Sequence, residues 1–329
     1  MVSIVTLAHQ HVDDGAKLFV QSYAKQRESM ACLPPKYAKH ETAAQLLEGI
    51  LENHPGVATL SDGRLVGYLT GYGMIPNFKS IQPGAYVPEW AHAAADGHDR
   101  ERIYQFMLEN LSRAWIGNGS FAHAITFFAA DDALRELFCW AGFGLLVVDA
   151  VRVIDPADRL KPAEPEPEIV IRQANEGDLE ELARLDNELI NYLQRAPTFL
   201  FPDHEKEPDT AVEFLGENAF SMVAEKDQRL LACIRGTLRK EDACTIVQDA
   251  SVMGIDFAYT DPNVRGMGIG RRLLDEILDW GRSRQKTACA VDFESANALG
   301  SAFWMKHFSP VCFSAIRHVD PRVAESGDG

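Results

Sequence analysis

Apolar and polar residues follow the same order in the two halves of this chain. Residues 4–7 and 169–172 are short apolar runs typical of a strand, and an aspartate stands six residues after each run, at positions 13 and 178. An amphipathic stretch with apolar residues at every third or fourth position follows each aspartate. Acidic residues at the start and an apolar stripe predict a helix in both places. Each half therefore opens with a strand followed by a helix.

A β-hairpin is predicted next in each half. The first half has apolar runs at 57–60 and 64–69, and the second half has them at 221–224 and 229–234, with a short polar turn inside each pair. Two strand-like runs separated by three to five turn residues are typical of a hairpin. The hairpins extend the agreement between the halves.

The closing segments agree most closely. Asp132 stands eleven residues before Phe143, and Asn297 stands eleven residues before Phe308. Each phenylalanine leads into an alternating apolar run that predicts a final strand. Agreement in order and spacing along the whole chain indicates an internal repeat. We interpret the chain as two copies of one α/β unit.

A segment rich in proline and glutamate separates the two copies. Residues 156–168 alternate prolines with acidic residues, which favours an extended, solvated connector over a helix or strand. A chain of 329 residues is long enough for two domains. The sequence therefore predicts one domain at 1–155, a linker at 156–168 and a second domain at 169–329.

The net charge of the chain bears on whether it binds nucleic acids or anionic membranes. With 32 Lys and Arg against 48 Asp and Glu, the formal net charge is −16, and the sequence has no basic stripe. Nucleic acids and anionic membrane surfaces would be repelled. No apolar run reaches the roughly 18 residues of a transmembrane helix, and the first residues lack the pattern of a signal peptide. We expect a cytoplasmic protein that binds neither nucleic acid nor membrane.

Neither disulfides nor a metal are expected. The six cysteines are scattered and include no Cys-x-x-Cys pair, a spacing that fits neither a disulfide framework nor a zinc site. His92, Asp96, His98 and Asp99 have the side chains of metal ligands, but their spacing matches no compact site, and a polar loop explains them as well. We therefore predict no metal.

The chemistry of the second half is concentrated in a glycine-rich loop. A predicted strand at 255–260 is followed by Pro262, by the run Arg265-Gly-Met-Gly-Ile-Gly270, and then by a predicted amphipathic helix. Glycines let backbone N–H groups approach phosphate oxygens, and a helix N-terminus favours negative charge. The loop lacks the Gly-Lys-Ser/Thr of a P-loop and comes too late in its domain for a Rossmann fingerprint. It predicts an anion site of another type.

The loop and its surroundings resemble the motifs of GNAT acetyltransferases. Arg265-x-x-Gly268-x-Gly270 is similar to the family's loop motif, and Pro262 stands at the usual distance before it. A predicted strand at 287–293 leads to a segment, Asn297 to Trp304, that is similar to the family's second motif. The resemblance implies an α/β (α+β) fold of two tandem GNAT-like domains, each a twisted mixed β-sheet flanked by helices.

The resemblance also implies acetyl-CoA as cosubstrate and a place for each part of it. Backbone N–H groups from Met267 to Arg271 would hold the pyrophosphate, the strand 257–260 would pair with the pantetheine arm as an added strand, and Asn297 would hydrogen-bond that arm. The predicted cofactor-binding residues are Phe257, Ala258, Tyr259, Thr260, Arg265, Gly266, Met267, Gly268, Ile269, Gly270, Arg271, Asn297 and Trp304.

The catalytic groups depart from the family pattern. GNAT enzymes often carry a tyrosine, thought to protonate the leaving thiolate, seven residues after the asparagine of the second motif, and here that position is Trp304. An indole N–H is not a useful acid, so water or another residue would protonate the thiolate. Asp256, beside the pantetheine strand, is the predicted general base, with Asp249 and Glu294 as alternatives.

The first half lacks these motifs. Its corresponding stretch, residues 88–103, contains no Gly-x-Gly, and acidic residues stand where phosphate would bind. Asp132 replaces the asparagine of the second motif. Like charge at a phosphate site opposes binding. We interpret the first half as a degenerate copy that shapes the acceptor site or supports its partner domain.

The resemblance implies an N-acetyltransferase. It would transfer the acetyl group of acetyl-CoA directly to a primary amine of an unidentified small-molecule or peptide acceptor. Two alternatives stay open at this point: a non-catalytic acyl-CoA-binding sensor or scaffold, and a tandem acetyltransferase resembling mycothiol synthase. The chain is expected to be a monomer or a homodimer.

Overall fold

The computed structural model describes residues 2–97, 99–155, 168–201, 210–241 and 243–325. Their fold is mixed α/β, as predicted. The chain divides into two compact units. Unit 1 comprises Met1–Asp149, Cys244–Ile246 and Pro310–Gly329, and unit 2 comprises Ala150–Ala243 and Val247–Ser309. Of the predicted linker at 156–168, only Glu168 lies within the described residues.

Unit 1 holds its strands in two groups. Its strands are β1 (Val2–Thr6), β2 (Gly56–Ser61), β3 (Arg64–Thr70), β4 (Tyr72–Ile75), β5 (Gly84–Val87), β6 (His92–Ala94), β7 (Ala122–Phe128), most of β8 (Gly144–Val153) and most of the chain's last strand, β14 (Ser309–His318). Its helices are α1 (Val12–Ser29), α2 (His40–Leu51), α3 (Arg100–Gly117) and α4 (Asp132–Trp140). The neighbouring order is β1-β2-β3-β6 in one group and β4-β5-β7-β14-β8 in the other.

Unit 2 holds five consecutive strands in one sheet. They are β9 (Val170–Gln173), β10 (Ala219–Lys226), β11 (Arg229–Thr237), β12 (Val252–Thr260) and β13 (Ala288–Glu294), in the neighbouring order β13-β12-β11-β10-β9. Its helices are α5 (Leu179–Leu193), α6 (Thr210–Leu215), α7 (Ile269–Ser283) and α8 (Ala298–His307). Only the β12–β13 pair of this sheet is parallel.

The elements predicted from the hydrophobic pattern are confirmed in both halves. The predicted hairpins are the antiparallel pairs β2–β3 and β10–β11. The helix predicted after the glycine loop is α7, and the helix predicted after Asn297 is α8. The two predicted closing strands are β8 and β14.

The last strand does not group with the half of the sequence in which it lies. β14 pairs antiparallel with β7, from Cys312 opposite Phe128 to His318 opposite Ala122. Residues 310–329 therefore belong to compact unit 1, although the predicted second domain runs from 169 to 329. The predicted boundaries follow the repeat in the sequence, whereas the compact units follow strand pairing, and the two differ at this end of the chain.

Helices α5 and α7 cover opposite faces of the unit 2 sheet. Leu182 and Leu185 of α5 pack in a buried cluster that includes Cys233 of β11. Three residues further along β11, a side chain at Gly236 would meet Ile277 of α7 at 3.0 Å. Because successive strand residues point to opposite faces, positions 233 and 236 face opposite sides. The amphipathic pattern of α7 is thereby explained by its packing on β10 and β11.

The two parallel strands of unit 2 pair only over their first part. β12 and β13 match from Val252 opposite Ala288 to Ile255 opposite Val291. On its other edge β12 stays paired with β11 as far as Thr260. Among the described residues, the edge of β12 beyond Ile255 therefore has no strand partner. This is the kind of edge to which an extended ligand adds as a strand.

Asp256 lies where the two strands part. On β11, Arg235 is opposite Phe257 and Gly236 is opposite Ile255, so Asp256 is the extra residue of a β-bulge. A bulge twists and bends its strand, and bulges are frequent next to active sites. The bulge therefore marks the point at which β12 leaves β13.

The six cysteines are free thiols. Cys233, Cys244, Cys289 and Cys312 are buried, and burial raises the pKa of the Cys233 thiol. Buried neutral thiols pack as small apolar side chains. Separately, none of the helices among the described residues is both long enough and apolar enough to cross a membrane.

Candidate functional site

The N-terminus of α7 forms one end of a cleft in unit 2. Gly268 caps the helix with a φ of 78°, and Gly266 has a φ of 81°; these are left-handed values that favour glycine. The first turn of α7 contains no acidic residue and includes Arg271. The N–H groups of a first helical turn have no partner within the helix, so they are available to an anion.

The cleft continues from this helix terminus along β12, α5 and α8. Its volume is about 750 Å³, within the range of small-molecule sites. The residues that line it are Leu189, Tyr192, Ile234, Ala258, Tyr259, Thr260, Val264, Arg265, Gly266, Met267, Gly268, Ile269, Gly270, Arg271, Asn297, Leu299, Gly300, Phe303, Trp304, Lys306 and His307. The partnerless edge of β12 and the terminus of α7 thus border one continuous space.

Three side chains of the cleft hold one another in place. The Tyr192 hydroxyl donates to Asn297 Oδ1 over 3.2 Å, and the same oxygen accepts the Gly300 N–H over 3.0 Å as the N-cap of α8. The Arg265 guanidinium lies 5.1 Å from the centroid of the Tyr192 ring, and its Nε donates to the Thr260 carbonyl over 2.9 Å. These bonds fix the orientation of the Asn297 amide.

The second tyrosine of the cleft has a different environment. The Tyr259 side chain lies near the Glu188 carboxylate. Burial, with the Glu188 carboxylate adding to it, raises the pKa of Tyr259 to about 12. Tyr259 therefore holds its proton more firmly than an exposed tyrosine does.

The cleft is cationic near the end of α8. Lys306 and His307 lie in its wall together with Arg271, and the Arg152 guanidinium donates to the His307 carbonyl over 2.9 Å. Burial lowers the pKa of the His307 imidazole, and the charges of Arg152, Lys306 and Arg271 lower it further. The surplus positive charge at this end suits a ligand that carries phosphates.

Asp256 is paired with a buried lysine. Lys240, 3% exposed, places Nζ 2.6 Å from Asp256 Oδ1 and 2.8 Å from Asp292 Oδ1. Asp256 and Asp292 are the first residues of β12 and β13 after their pairing ends. Burial lowers the pKa of Lys240, but the charges of Asp292 and Asp256 outweigh burial and raise it above its usual range. The ammonium therefore links the two strands at the point where they part.

The structure brings together all but one of the predicted cofactor residues. Phe257 does not line the cleft, because its side chain faces the buried cluster under α5. Trp304 lines the cleft and packs edge-on against Phe303 and Phe308. Neither Asp256 nor the two alternative bases line the cleft; Asp249, one of these, accepts hydrogen bonds from the N–H and hydroxyl of Ser251 and forms a turn.

Several lining residues have no motif in the sequence. Leu189 and Tyr192 lie three positions apart on α5, and Lys306 and His307 follow the second motif. The amphipathic pattern of α5 predicts that one of its faces is buried, and side chains at i and i+3 share a face. The pattern does not indicate that the end of that face borders a ligand site.

His92 is engaged by two partners of its own. Its Nε2 donates to the Thr126 carbonyl over 2.9 Å, and its Nδ1 lies 2.9 Å from the Tyr104 hydroxyl. Of the proposed ligand group, His98 lies outside the described residues. Within the described part of the chain, no group of three or more His, Cys, Asp or Glu is placed to hold a metal.

The corresponding helix terminus of unit 1 carries acids. Helix α3 is capped by Asp99 and has Glu101 in its first turn. Arg100 is paired with Asp131 at distances of 3.1 and 2.5 Å, and Asp131 also accepts the Leu134 N–H as the cap of α4. The helix dipole favours negative charge at this N-terminus, and the acidic side chains supply it. They would also repel a phosphate that approached the same place.

The strands of unit 1 also part, but the chain itself closes the region beyond them. β5 and β7 pair in parallel, as β12 and β13 do. After β5, Glu89 Oε1 accepts the Ile246 N–H over 2.8 Å, and Trp90 Nε1 donates to Thr245 Oγ1 over 3.0 Å. Glu89, Trp90 and Ile246 are all buried. Residues 244–246 thus occupy the region beyond the end of β5.

Glu89 should make the stability of the protein depend on pH. Burial raises its pKa from 4.5 to about 7, and its Oε2 has no hydrogen-bond partner among the described residues. The folded state therefore binds the Glu89 proton more tightly than the unfolded state does. The contribution of this proton to the free energy of unfolding is fully present below the unfolded pKa near 4.5. It is lost as the pH rises through the folded pKa near 7, and the loss amounts to about 3 kcal/mol. The unfolding free energy of Glu89→Gln, relative to wild type, should therefore rise by about this amount between pH 4.5 and 7.5, measured by urea denaturation.

The control for Glu89→Gln is Glu48→Gln on the exposed side of α2. It removes a carboxylate without changing a buried group, so its difference from wild type should stay flat over the same pH range. A flat difference for Glu89→Gln would show that the buried carboxyl does not carry the pH dependence.

Comparison with known proteins agrees with the geometry of unit 2. The model of the acetyltransferase (GNAT) family matches residues 187–307, which run from the second half of α5 through the glycine loop and α7 to the end of α8. No curated protein sequence matches the chain.

Three solved structures share the fold of nearly the whole chain. A GCN5-related N-acetyltransferase from Sphaerobacter thermophilus is 12% identical, with 96% of this chain and 95% of that chain covered and a TM-score of 0.56. A tandem GNAT protein from the clavulanic acid biosynthesis pathway is 14% identical, with 98% and 99% covered and a TM-score of 0.50. A glucosamine N-acetyltransferase region of a fungal multi-domain β-N-acetylglucosaminidase is 10% identical, with 96% of this chain and 38% of that chain covered and a TM-score of 0.54.

Identities this low establish the fold alone, and the fold prediction is confirmed by them. The family match covers the part of the chain in which the sequence motifs lie. Residues 187–307 therefore match the acetyltransferase (GNAT) family model, in a chain whose fold is similar to that of a tandem GNAT protein.

Proposed function

We propose that this protein transfers an acetyl group from acetyl-CoA to a primary amine in the cleft of unit 2. The observation that carries the proposal is the continuity of that cleft. One space borders three surfaces: the N-terminus of α7, whose first turn has no acidic residue; the edge of β12 that has no strand partner among the described residues; and the N-terminus of α8, which Asn297 caps. These are the three surfaces that a molecule with a pyrophosphate, an extended amide arm and a reactive thioester requires.

The residues of the cleft fit acetyl-CoA part by part. The N–H groups that follow Gly268 would bind the pyrophosphate, aided by Arg271. The edge of β12 at 257–260 would pair with the pantetheine amides, since β13 does not use it. The Asn297 amide, oriented by its two hydrogen bonds, would bond the same arm. No step here depends on the side chain of Phe257.

The chemical step would take place beyond the end of the β12–β13 pairing. Backbone N–H groups near the bulge would polarise the thioester carbonyl, and the cleft would align the amine for attack. Asp256 or a water would accept the proton of the attacking ammonium. Since Asp256 is bonded to Lys240, it would act through a water rather than by direct contact. Turnover of Asp256→Asn tests this step: if its rate and pH profile equal those of wild type, the base lies elsewhere.

Two other functions are favoured by particular observations. Trp304 in place of the usual tyrosine, together with the acids at the helix terminus of unit 1, favours an acyl-CoA sensor or scaffold without turnover. The tandem fold with one open cleft favours an enzyme resembling mycothiol synthase, which acts on an amino-sugar conjugate. A fungal region with the same fold is described as a glucosamine N-acetyltransferase, so amino sugars belong among the amines to be tested. Cytoplasmic location and a monomeric or homodimeric state stay predictions from the sequence.

Titration of acetyl-CoA into the full-length protein by calorimetry tests the proposal. We expect one site per chain, because the helix terminus of unit 1 carries Asp99 and Glu101. Two sites would contradict the interpretation of unit 1, and no binding would overturn the proposed function. If one site is found, release of free thiol in the presence of simple alkylamines, peptides and amino sugars separates an enzyme from a sensor.

A further inference from the structure

Acetyl transfer leaves coenzyme A as a thiolate that needs a proton. The amine nitrogen bonds to the acetyl carbon, the carbon–sulfur bond breaks, and its electron pair stays on sulfur. Trp304 occupies the position at which GNAT enzymes often carry a tyrosine, and its indole N–H is not a useful acid. The proton therefore has to come from water or from another lining residue.

Most polar groups of the cleft are poorly suited to this task. Burial, with the nearby Glu188 carboxylate adding to it, raises the pKa of the Tyr259 hydroxyl to about 12. Lys306 lies with Arg271 at the cationic end that suits the phosphates, and the lowered pKa of His307 favours its neutral form, which is a poor acid. Thr260 carries an alcohol, which has no acidity in the physiological range. Among the described lining residues, Tyr192 is the remaining candidate for the proton donor.

We propose that Tyr192 is the catalytic residue that protonates the leaving thiolate, an inference that rests on the proposed function. The Tyr192 hydroxyl points at Asn297, over 3.2 Å, and Asn297 is the residue proposed to bind the pantetheine arm. The proton of Tyr192 thus lies beside the arm that ends in the sulfur. Tyr192 is in the last turn of α5, a helix that packs on the sheet through Leu182 and Leu185.

Arg265 lies over the ring of Tyr192. Its guanidinium lies 5.1 Å from the ring centroid of Tyr192 and 5.9 Å from that of Tyr259, so it is nearer to the proposed acid. A cation over the face of an aromatic ring is attracted to it, and this contact helps to hold the ring beside Asn297. Arg265 is held there by its bond to the Thr260 carbonyl.

The proposed step balances in protons and electrons. The O–H bond of Tyr192 breaks as an S–H bond forms, which gives the free thiol and a tyrosinate. The new amide nitrogen releases one proton to water, and the tyrosinate takes one proton back from water. The reaction therefore consumes no external acid and leaves Tyr192 ready for the next cycle.

The titration of the thiol of bound CoA tests the assignment without knowledge of the acceptor. Thiolate absorbs in the ultraviolet, so the pH at which bound CoA loses its thiol proton can be read directly. A hydroxyl that donates to the sulfur stabilises the thiolate, as hydrogen bonds to charged groups do. We expect the bound thiol to titrate about 1–2 pH units higher in Tyr192→Phe than in wild type.

Two further variants sharpen the comparison. Tyr72→Phe removes the hydroxyl of a partly exposed tyrosine on β4 of unit 1, and we expect its bound thiol to titrate as in wild type. In turnover with an amine accepted by wild type, Tyr192→Phe should lower kcat by about 10²-fold or more, while acetyl-CoA affinity falls less than about tenfold.

The possible outcomes separate this inference from the function on which it rests. Binding of CoA to wild type and Tyr192→Phe with the same titration would overturn the assignment of Tyr192. A shift in Tyr259→Phe instead of Tyr192→Phe would make Tyr259 the donor and overturn it as well. Absence of CoA binding to wild type would overturn the proposed function and this assignment together.

Discussion

Replacement of Gly268 by valine is expected to abolish acetyl-CoA binding while the protein stays folded. Gly268 caps α7 with a φ of 78°, where a β-branched residue costs about 1–2 kcal/mol. Gly268 lines the cleft, so we also expect the added side chain to crowd the pyrophosphate that the proposal places at the first-turn N–H groups. Loss of two hydrogen bonds to a charged group, at ~1.5–3 kcal/mol each, lowers affinity by about 10²- to 10⁴-fold. Calorimetry with acetyl-CoA measures the loss.

The matched control is Gly63→Val. Gly63 also has a φ of 78°, in the turn of the β2–β3 hairpin, and a side chain there meets nothing within 4 Å. The control introduces the same backbone strain at a position far from the cleft in sequence. Its free energy of unfolding should therefore fall by a similar amount, while its affinity for acetyl-CoA should equal that of wild type. Unchanged affinity in Gly268→Val would remove the glycine loop from the cofactor site.

Replacement of Lys240 by methionine should destabilise the protein by about 3–5 kcal/mol, because it leaves Asp256 and Asp292 without their shared cation. Lys240 is 3% exposed, so water cannot replace it readily. Its raised pKa means that this stabilisation is fully present below the unfolded pKa of about 10.4 and is lost only above it. Urea denaturation at pH 7 and pH 9 should therefore give the same large difference from wild type.

Lys25→Met provides the control for a lost ion pair. Lys25 lies 2.5 Å from Asp96, with both side chains more than half exposed, and such pairs contribute less than about 1 kcal/mol. The combined Lys240→Met and Asp292→Asn change should recover part of the stability, because it removes one of the two carboxylates left unpaired. A small effect of Lys240→Met alone would mean that the strands of unit 2 part without need of this cation.

The sequence was sufficient for the parts of the protein that depend on neighbouring residues. The strand, turn and helix around Arg265–Gly270 are local, and their hydrophobic period predicted β12 and α7 correctly. Asn297 was placed at the head of α8 because a cap and the helix that it starts are adjacent in sequence. The repeat between the halves is likewise visible in the local pattern of each half, and the prediction of a tandem fold agrees with it.

Only the tertiary structure decided which distant groups meet. Tyr192 and Asn297 are 105 residues apart, and their bond exists because α5 packs on the sheet beside α8. Lys240 reaches Asp256 and Asp292 only because β12 and β13 part at those residues. The last strand joined unit 1 because β7 offered it a free edge. A hydrophobic period determines which face of an element is buried, but the partner of that face depends on the packing of the whole chain.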